Sequence, residues 1–327
     1  MRYVLRRLAL YAVAAWAAVT LGFVLPRLMP GDPATTLLAR LRGKLSPAAL
    51  ASLREALGFA DGSWLHQYLV YWRHLLHGDL GLSVAYFPVP VGEVIGTGLL
   101  WTVALAGGAV VVSFVVGTLL GVVAAWRRGG VLDSALPPVL ALLGAVPNFW
   151  LAMVALFAFG YGLRWFPLGH AYSLDREPGW TLAFCADVAR HAALPALTLV
   201  VATLGGWMLG MRNTMVALLD ADFIKLAWAK GLPPRQVMLR YAARNALLPS
   251  ITGFGMALGF VLSGSLLTEI VFSYPGLGYL LVEAVRNQDY ALMQGIFLTI
   301  TLAVLAANLL VDVACMWLDP RIRESAT

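Results

Sequence analysis

The chain has 327 residues, of which 60% are hydrophobic and only 12% charged, with a formal net charge of +6. Soluble chains carry about 25% charged residues, so this one cannot cover a water-facing surface. Soluble globular, disordered and disulfide-scaffold classes are excluded. The positive balance then reads as a membrane-topology signal rather than a nucleic-acid footprint.

A spanning helix needs about 20 apolar residues. Charge-free runs occur at Leu8–Pro26, Val94–Trp126, Ser134–Leu163, His191–Met211, Asn245–Thr268 and Tyr290–Val311. None alternates with period two, as a barrel strand would. The expectation is an all-α polytopic membrane protein with six transmembrane helices. The first follows Arg2, Arg6 and Arg7 but is too long for a signal-peptide core and lacks a small-x-small cleavage site. It is read as a retained helix within 1–30. The next pieces are an outer segment at 31–93 and a core at 94–318, with helices at about 97–126, 134–161, 191–211, 246–269 and 290–316. A tail occupies 319–327.

With both termini in the cytoplasm, the inner segments hold thirteen Lys and Arg residues and the two short outer loops hold four. Segments longer than about 60 residues count little toward orientation, so the bias places both ends inside. Cys185 and Cys315 then fall on opposite faces and cannot pair.

In the outer segment, Ser46-Pro47 starts one helix that Gly58 ends, and Ser63 caps a second that runs to about Leu76, with Gly78 after it. This predicts a small helical lid. His66, His74 and His77 lack the Cys or acidic neighbours that would complete a metal shell. The inner segment 212–247 differs in kind. It reads as a helix over Asn213–Lys230, Gly231 at the position after the helix end, a turn at Pro233-Pro234, and a second helix bearing Arg235, Arg240 and Arg244. Either it is a solvated positive-inside hairpin, or it is a docking surface whose elbow exposes Ala227, Ala229 and Gly231 to a partner.

Three Gly-x-x-x-Gly pairs, Gly117/Gly121, Gly206/Gly210 and Gly255/Gly259, suit close helix packing in lipid. Pro137, Pro138 and Pro147 should kink the third span, with Asn148 available to a freed carbonyl. Chemistry is otherwise sparse. There is no Walker A sequence, no His-Glu-x-x-His and no Gly-x-Ser-x-Gly. Asp312 is the main ionisable residue within a span. Neither an ion-coupled carrier nor an intramembrane enzyme is expected, and catalytic and metal residues are none. A bundle able to form a pathway, but with no energy source of its own, remains. Asn148, Trp207 and Met208 are candidates to line that pathway; for Trp207 and Met208, ordinary helix or lipid contact is the alternative.

Several stretches carry a family resemblance along nearly the whole chain. They are Met29-Pro30-Gly31-Asp32-Pro33, His77-Gly78-Asp79-Leu80-Gly81, Asp222-Phe223-Ile224-Lys225-Leu226-Ala227-Trp228-Ala229-Lys230-Gly231-Leu232, Arg244-Asn245-Ala246-Leu247-Leu248-Pro249, and Glu269-Ile270-Val271-Phe272-Ser273-Tyr274-Pro275-Gly276. The chain resembles the permease subunits of ATP-binding-cassette importers in the dipeptide, oligopeptide and nickel family, specifically the first of two permeases. Lys225 and Pro233 depart from the family pattern of the inner loop. The resemblance implies a type I importer permease fold in a bacterial or archaeal cytoplasmic membrane. It implies ATPase coupling through Asp222, Phe223, Ala227, Lys230, Gly231 and Arg235. Expected partners are a second permease, two ATP-binding subunits (separate, fused or identical), an extracellular solute-binding protein and the bilayer, with no nucleic acid. No cofactor is expected in this chain, because ATP and Mg would reside in the ATPase subunits. A peptide is the family's usual solute, with a cello- or xylo-oligosaccharide or a nickel chelate as alternatives. A channel or scaffold without ATPase partners is the reading from a different class.

Overall fold

The computed structural model describes residues 2–29 and 63–318. The helix expected from Ser46 to Gly58 and the tail at 319–327 lie outside them, as do the side chains of Asp312 and Cys315. The described residues are helical apart from turns and one isolated bridge, Leu82 to Pro90. In chain order the helices are α1 (Arg2–Arg27), α2 (Trp64–Leu76), α3 (Val91–Thr102), α4 (Gly108–Trp126), α5 (Val131–Ala145), α6 (Asn148–Ala155), α7 (Leu182–Leu219), α8 (Asp222–Ala229), α9 (Pro234–Gln236), α10 (Arg244–Gly259), α11 (Val261–Gly264), α12 (Leu266–Val271), α13 (Leu277–Arg286) and α14 (Tyr290–Leu318). Wider π turns at Val103–Gly107, Leu156–Gly162 and Val237–Ala243 join α3 to α4, extend α6, and join α9 to α10.

Among the described residues four helices are long and apolar enough to cross a membrane: α1, the α3–α4 run, α7 and α14. A fifth is counted if α5 and the α6 run are one broken span, bent by 97°. This bend corrects the expectation of a merely kinked third helix. Pro137 and Pro138 are carried inside α5. The chain breaks instead at Pro147, which has no N–H to donate and forces Val146 before it into extended backbone (φ −77°, ψ 130°). The stretch expected at 246–269 is likewise divided, with breaks at Phe260 and Ser265.

The chain forms two compact units. In the first, α2 lies along the C-terminal end of α1. The Tyr68 hydroxyl meets Thr20 Oγ1 at 2.7 Å, and the Phe23 ring packs edge-on against Tyr68 at 5.2 Å. Ser63 caps α2 as expected, accepting the His66 N–H. The histidines make local contacts: His74 Nδ1 meets Asp79 at 3.0 Å and His77 Nδ1 the Arg73 carbonyl at 2.7 Å. Residues 81–91 fold into a tight hairpin whose Ser83 Oγ–H and Ala85 N–H both donate to the fully buried carboxylate of Asp289. Asp289 also accepts the Leu292 N–H at the start of α14, capping it. The amphipathic helix α13, not foreseen in the sequence, packs on α3. At Gly98 a Cβ would stand 2.3 Å from Leu280 Cδ1, and the Thr102 hydroxyl accepts the Leu277 N–H at 2.8 Å.

The second unit is organised on α7, whose 38 residues run unbroken through Pro195 and well past the expected 191–211. Helix α4 packs on it through Gly117 and Gly121, where a Cβ would come within 2.7 Å of Trp207 Cβ and 2.6 Å of the Met208 carbonyl. Helix α5 packs on it at Gly205, against the Leu140 carbonyl. Gly206 and Gly210 face open space. Among the described residues Glu269 on α12 is fully buried and accepts a hydrogen bond from Ser265 Oγ at 2.9 Å.

Candidate functional site

The elbow after α7 is built from two breaks in the helix, one at Asp220-Ala221 and one at Gly231–Pro233. Helix α7 continues to Leu219, so the helix expected over 213–230 is two helices separated at Asp220-Ala221. Helix α8 then has only eight residues. Its end is closed by paired reverse hydrogen bonds. Gly231 N–H donates to the Trp228 carbonyl at 2.9 Å, and Leu232 N–H donates to the Ala227 carbonyl at 3.3 Å. This is a Schellman closure, which needs a left-handed residue after the helix end. Gly231 supplies it at φ +73°. Pro233 follows in extended backbone and Pro234 opens α9, where its missing N–H is no loss. The next turns run through the π segment into α10 without a break at Pro249, which lies inside the helix.

The inward face of α8 presents Ile224 and Ala227, each 1% exposed. They join a core with Val122 and Ala125 of α4, Met211 and Met215 of α7, and Val237, Ala242, Ala243 and Ala246 beyond the elbow. Leu232 packs on the same core, supplying the apolar contact that usually accompanies this closure. The expected exposure of Ala227 is therefore wrong. The three-residue spacing turns Ile224 and Ala227 inward together, whatever their size. The residues α8 offers to a partner are Asp222, Phe223, Lys225, Leu226 and Trp228, with Ala229, Lys230, Gly231 and Arg235 beside them. Phe223, Leu226 and Trp228 are 38%, 56% and 45% exposed. Asp222 and Lys225 form a surface ion pair at 3.1 Å. This short helix is thus apolar on both faces, buried at Ile224 and Ala227 and exposed at Phe223 and Leu226. Physical linkage to the spans comes from the C-terminal ends of α4 and α7 sharing its core.

The pathway candidates separate. Met208 is fully buried between Ala124 and Leu140, so it packs the α4–α5–α7 junction and lines nothing. Trp207 is half-buried in an aromatic cluster, edge-on to Phe114 at 5.2 Å, with Phe114 stacked on Phe254 at 4.4 Å. Asn148 is exposed at the first position of α6, directly after the 97° break. The sequence reading missed the open face of α7, where Thr203, Gly206, Gly210 and Asn213 recur at helical spacing and are all exposed.

Comparison with known proteins gives this elbow its context. The family described as the binding-protein-dependent transport system inner membrane component matches residues 117–324, which contain it. A probable peptide ABC transporter permease of Sinorhizobium fredii is 34% identical over 324 residues, covering 98% of this chain and 99% of that protein. A di/tripeptide transport system permease of Pseudomonas aeruginosa is 33% identical over 336 residues, covering 98% of both. A dipeptide transport system permease of Escherichia coli K12 is 34% identical over 341 residues, covering 99% of both. The family model over 117–324 and the relatives along nearly the whole chain agree: the chain belongs to the binding-protein-dependent transport system inner membrane component family, and it is a permease subunit of an ATP-binding-cassette importer.

Proposed function

We propose that this permease forms half of the translocation pathway for an oligopeptide-type solute and that α8 is the helix through which ATPase subunits drive it. One observation carries the reading. Helix α8 turns Phe223 and Leu226 outward, while Ile224 and Ala227 are locked into the core that holds the C-terminal ends of α4 and α7, and half-exposed Trp228 stacks on Trp126 of α4. Packed interiors transmit displacement because they deform little. A push on the outer face of α8 would therefore move those helices. Asp222, Lys230, Gly231 and Arg235 complete the contact, as the departures at Lys225 and Pro233 leave the elbow's geometry intact.

The complete machine would contain a second permease, two ATP-binding subunits holding ATP and Mg, and an outer solute-binding protein. Counting the broken α5–α6 run and the interrupted run from α10 to α12 as one span each gives six spans, with both termini cytoplasmic and 31–93 outside. The charge bias supports that orientation. Peptide as solute rests on the printed names of the relatives. Trp207, Asn148 and the open α7 face at Thr203, Gly206, Gly210 and Asn213 are the wall this reading assigns. They offer amide, hydroxyl, backbone and aromatic contact without a fixed charge.

The test is reconstitution of the complete complex in liposomes with a labelled peptide. ATP-dependent accumulation is expected. Uptake that proceeds equally without ATP, or accumulation of an oligosaccharide with none of any peptide, overturns the reading. A cysteine at Ser52 should react with an impermeant reagent from outside; reaction only after membrane disruption overturns the orientation.

A further inference from the structure

Helix α2 has three sides. One rests on the last two turns of α1: the Tyr68 and Tyr71 rings meet Phe23 at 5.2 and 5.6 Å, and Gln67 beside them accepts from Arg27 Nε at 3.2 Å. The second side carries His66, Arg73 and His74, all exposed. The third is an apolar stripe of Leu65, Leu69, Trp72 and Leu76 at helical spacing. Its leucines are 68%, 59% and 78% exposed, and Trp72 is partly buried. At about 100° per residue, the stripe stands roughly a quarter turn from the α1 side.

The register against α1 decides what covers the stripe. The apolar part of α1 runs from Ala9 to Arg27, 19 residues. At about 1.5 Å per residue this is about 28 Å, no more than the roughly 30 Å of hydrocarbon it has to cross. Its last two turns therefore cannot stand in water. With the Arg27 charge at the headgroups, Thr20 lies about 10 Å deeper along the helix, past a headgroup zone of about 5–8 Å. Tyr68, whose hydroxyl meets Thr20 at 2.7 Å, shares that depth. The two hydroxyls are satisfied without water, as hydrocarbon requires: Thr20 donates to the Trp16 carbonyl at 2.8 Å, so Tyr68 donates to Thr20. At the same level α1 exposes Leu21 and Leu25. The stripe thus continues the lipid-facing surface of a span.

We infer that α2 is an interfacial helix. It lies in the leaflet where α1 ends, with Leu65, Leu69, Trp72 and Leu76 among the acyl chains and His66, Arg73 and His74 toward headgroups and water. The inference rests on α1 spanning the membrane, as given under the proposed function. It moves residues 64–76 from the aqueous lid expected of the sequence into the bilayer, in the outer leaflet for the orientation given there. The contacts with Thr20, Phe23 and Arg27 then set the depth of both helices together.

The experiment uses the complete complex in nanodiscs, with Cys185→Ser and Cys315→Ser and one nitroxide-labelled cysteine at a time. Labels at Leu69→Cys and Leu76→Cys report the stripe, His66→Cys and Arg73→Cys the polar side, and Leu21→Cys the span. Collisions with oxygen, which concentrates in lipid, are compared with collisions with a water-soluble nickel chelate. The oxygen-to-nickel ratio should be several-fold higher on the stripe than on the polar side, and close to that at Leu21. Nickel collisions on the stripe equal to those on the polar side would place it in water and overturn the inference. So would a stripe shielded from both reagents, which means it is covered by protein, either residues 31–62 or the second permease. Oxygen-dominated collisions at His66 and Arg73 would bury the helix in hydrocarbon on every side and likewise overturn it. Nickel-dominated collisions at Leu21 would instead overturn the spanning reading of α1.

Discussion

The indole rings of Trp126 and Trp228 stack with centroids 6.1 Å apart and planes 19° from parallel. Trp126 ends α4 and Trp228 lies on α8, so this pair ties a long apolar helix to the elbow. Stacked aromatic pairs contribute about 0.5–1.5 kcal/mol beyond burial. A double-mutant cycle with Trp126→Leu and Trp228→Leu, read by unfolding of the purified chain in detergent, should return a coupling energy in that range. Strict additivity of the two substitutions would mean the rings meet without interacting.

Leu226 and its neighbour Ala227 should behave oppositely. Ala227→Arg places a charge in the core with Met215 and Val237, at a cost of about 3 kcal/mol or more. The chain should lose thermal stability and purify poorly. Leu226→Arg alters only the outer face. Its chain should melt as wild type while the ATP-binding subunits no longer co-purify. A Leu226→Arg variant that retains those subunits and full stimulation would remove α8 from the contact.

Gly231 isolates a backbone effect. A Cβ there meets nothing within 4 Å, yet φ is +73°. Gly231→Ala should therefore cost about 1 kcal/mol through left-handed strain alone, Gly231→Asn less, and Gly231→Val more. Stimulated ATP hydrolysis should fall in the order Asn, Ala, Val. Equal activity in all three would show that the closure of α8 is not needed for coupling.

The elbow was legible in the sequence because its signals are local. Gly231 permits the left-handed residue a helix end needs, and Pro233-Pro234 fix φ and bar helix continuation, whatever lies around them. The cap at Ser63 and the turn at Gly78 were readable for the same reason. What could not be read was which face of a helix turns inward. Ala227 and Ala229 are identical side chains two residues apart, yet only one is in the core. Met208 and Trp207 differ in the same way, since apolar residues all round a membrane helix leave no moment to orient it. The division of the third span at Pro147 rather than Pro137 depends on position along the helix. The first two prolines lie in one continuing helix, and before the third Val146 turns extended and the helix ends.

Asp79 carries a pH prediction. Its carboxylate accepts the Gly81 N–H at 2.9 Å and faces His74 Nδ1 at 3.0 Å, and these two contacts, the backbone one foremost, hold its pKa below the usual carboxylate range. A depressed folded pKa means the stabilisation is full above the unfolded value of about 3.9 and is lost as pH falls through the folded value. Asp79→Asn should therefore lower the thermal midpoint slightly at pH 7, and the gap from wild type should close below about pH 4. The effect is small because the pair is exposed. A gap that widens on acidification would contradict the assignment.

The two Gly-x-x-x-Gly pairs at the centre of the bundle look alike in sequence and should respond oppositely to alanine. Gly121 faces α7 so closely that a Cβ would stand 2.6 Å from the Met208 carbonyl and 2.8 Å from Met211 Cβ. The first of these is backbone, which cannot rotate away. Helices α4 and α7 would have to separate, and overpacking of this kind costs about 1–3 kcal/mol. Gly210 meets nothing within 4 Å. Its replacement by alanine adds no clash and gains up to about 1 kcal/mol of helix propensity. In the purified chain, Gly121→Ala should lower the thermal midpoint, and Gly210→Ala should hold or raise it. If Gly210→Ala is the more damaging in the isolated chain, α7 presents the opposite face to α4. If it damages only assembly with the second permease, the open stripe is a subunit seam, and the wall assigned to Thr203, Gly206 and Asn213 moves elsewhere.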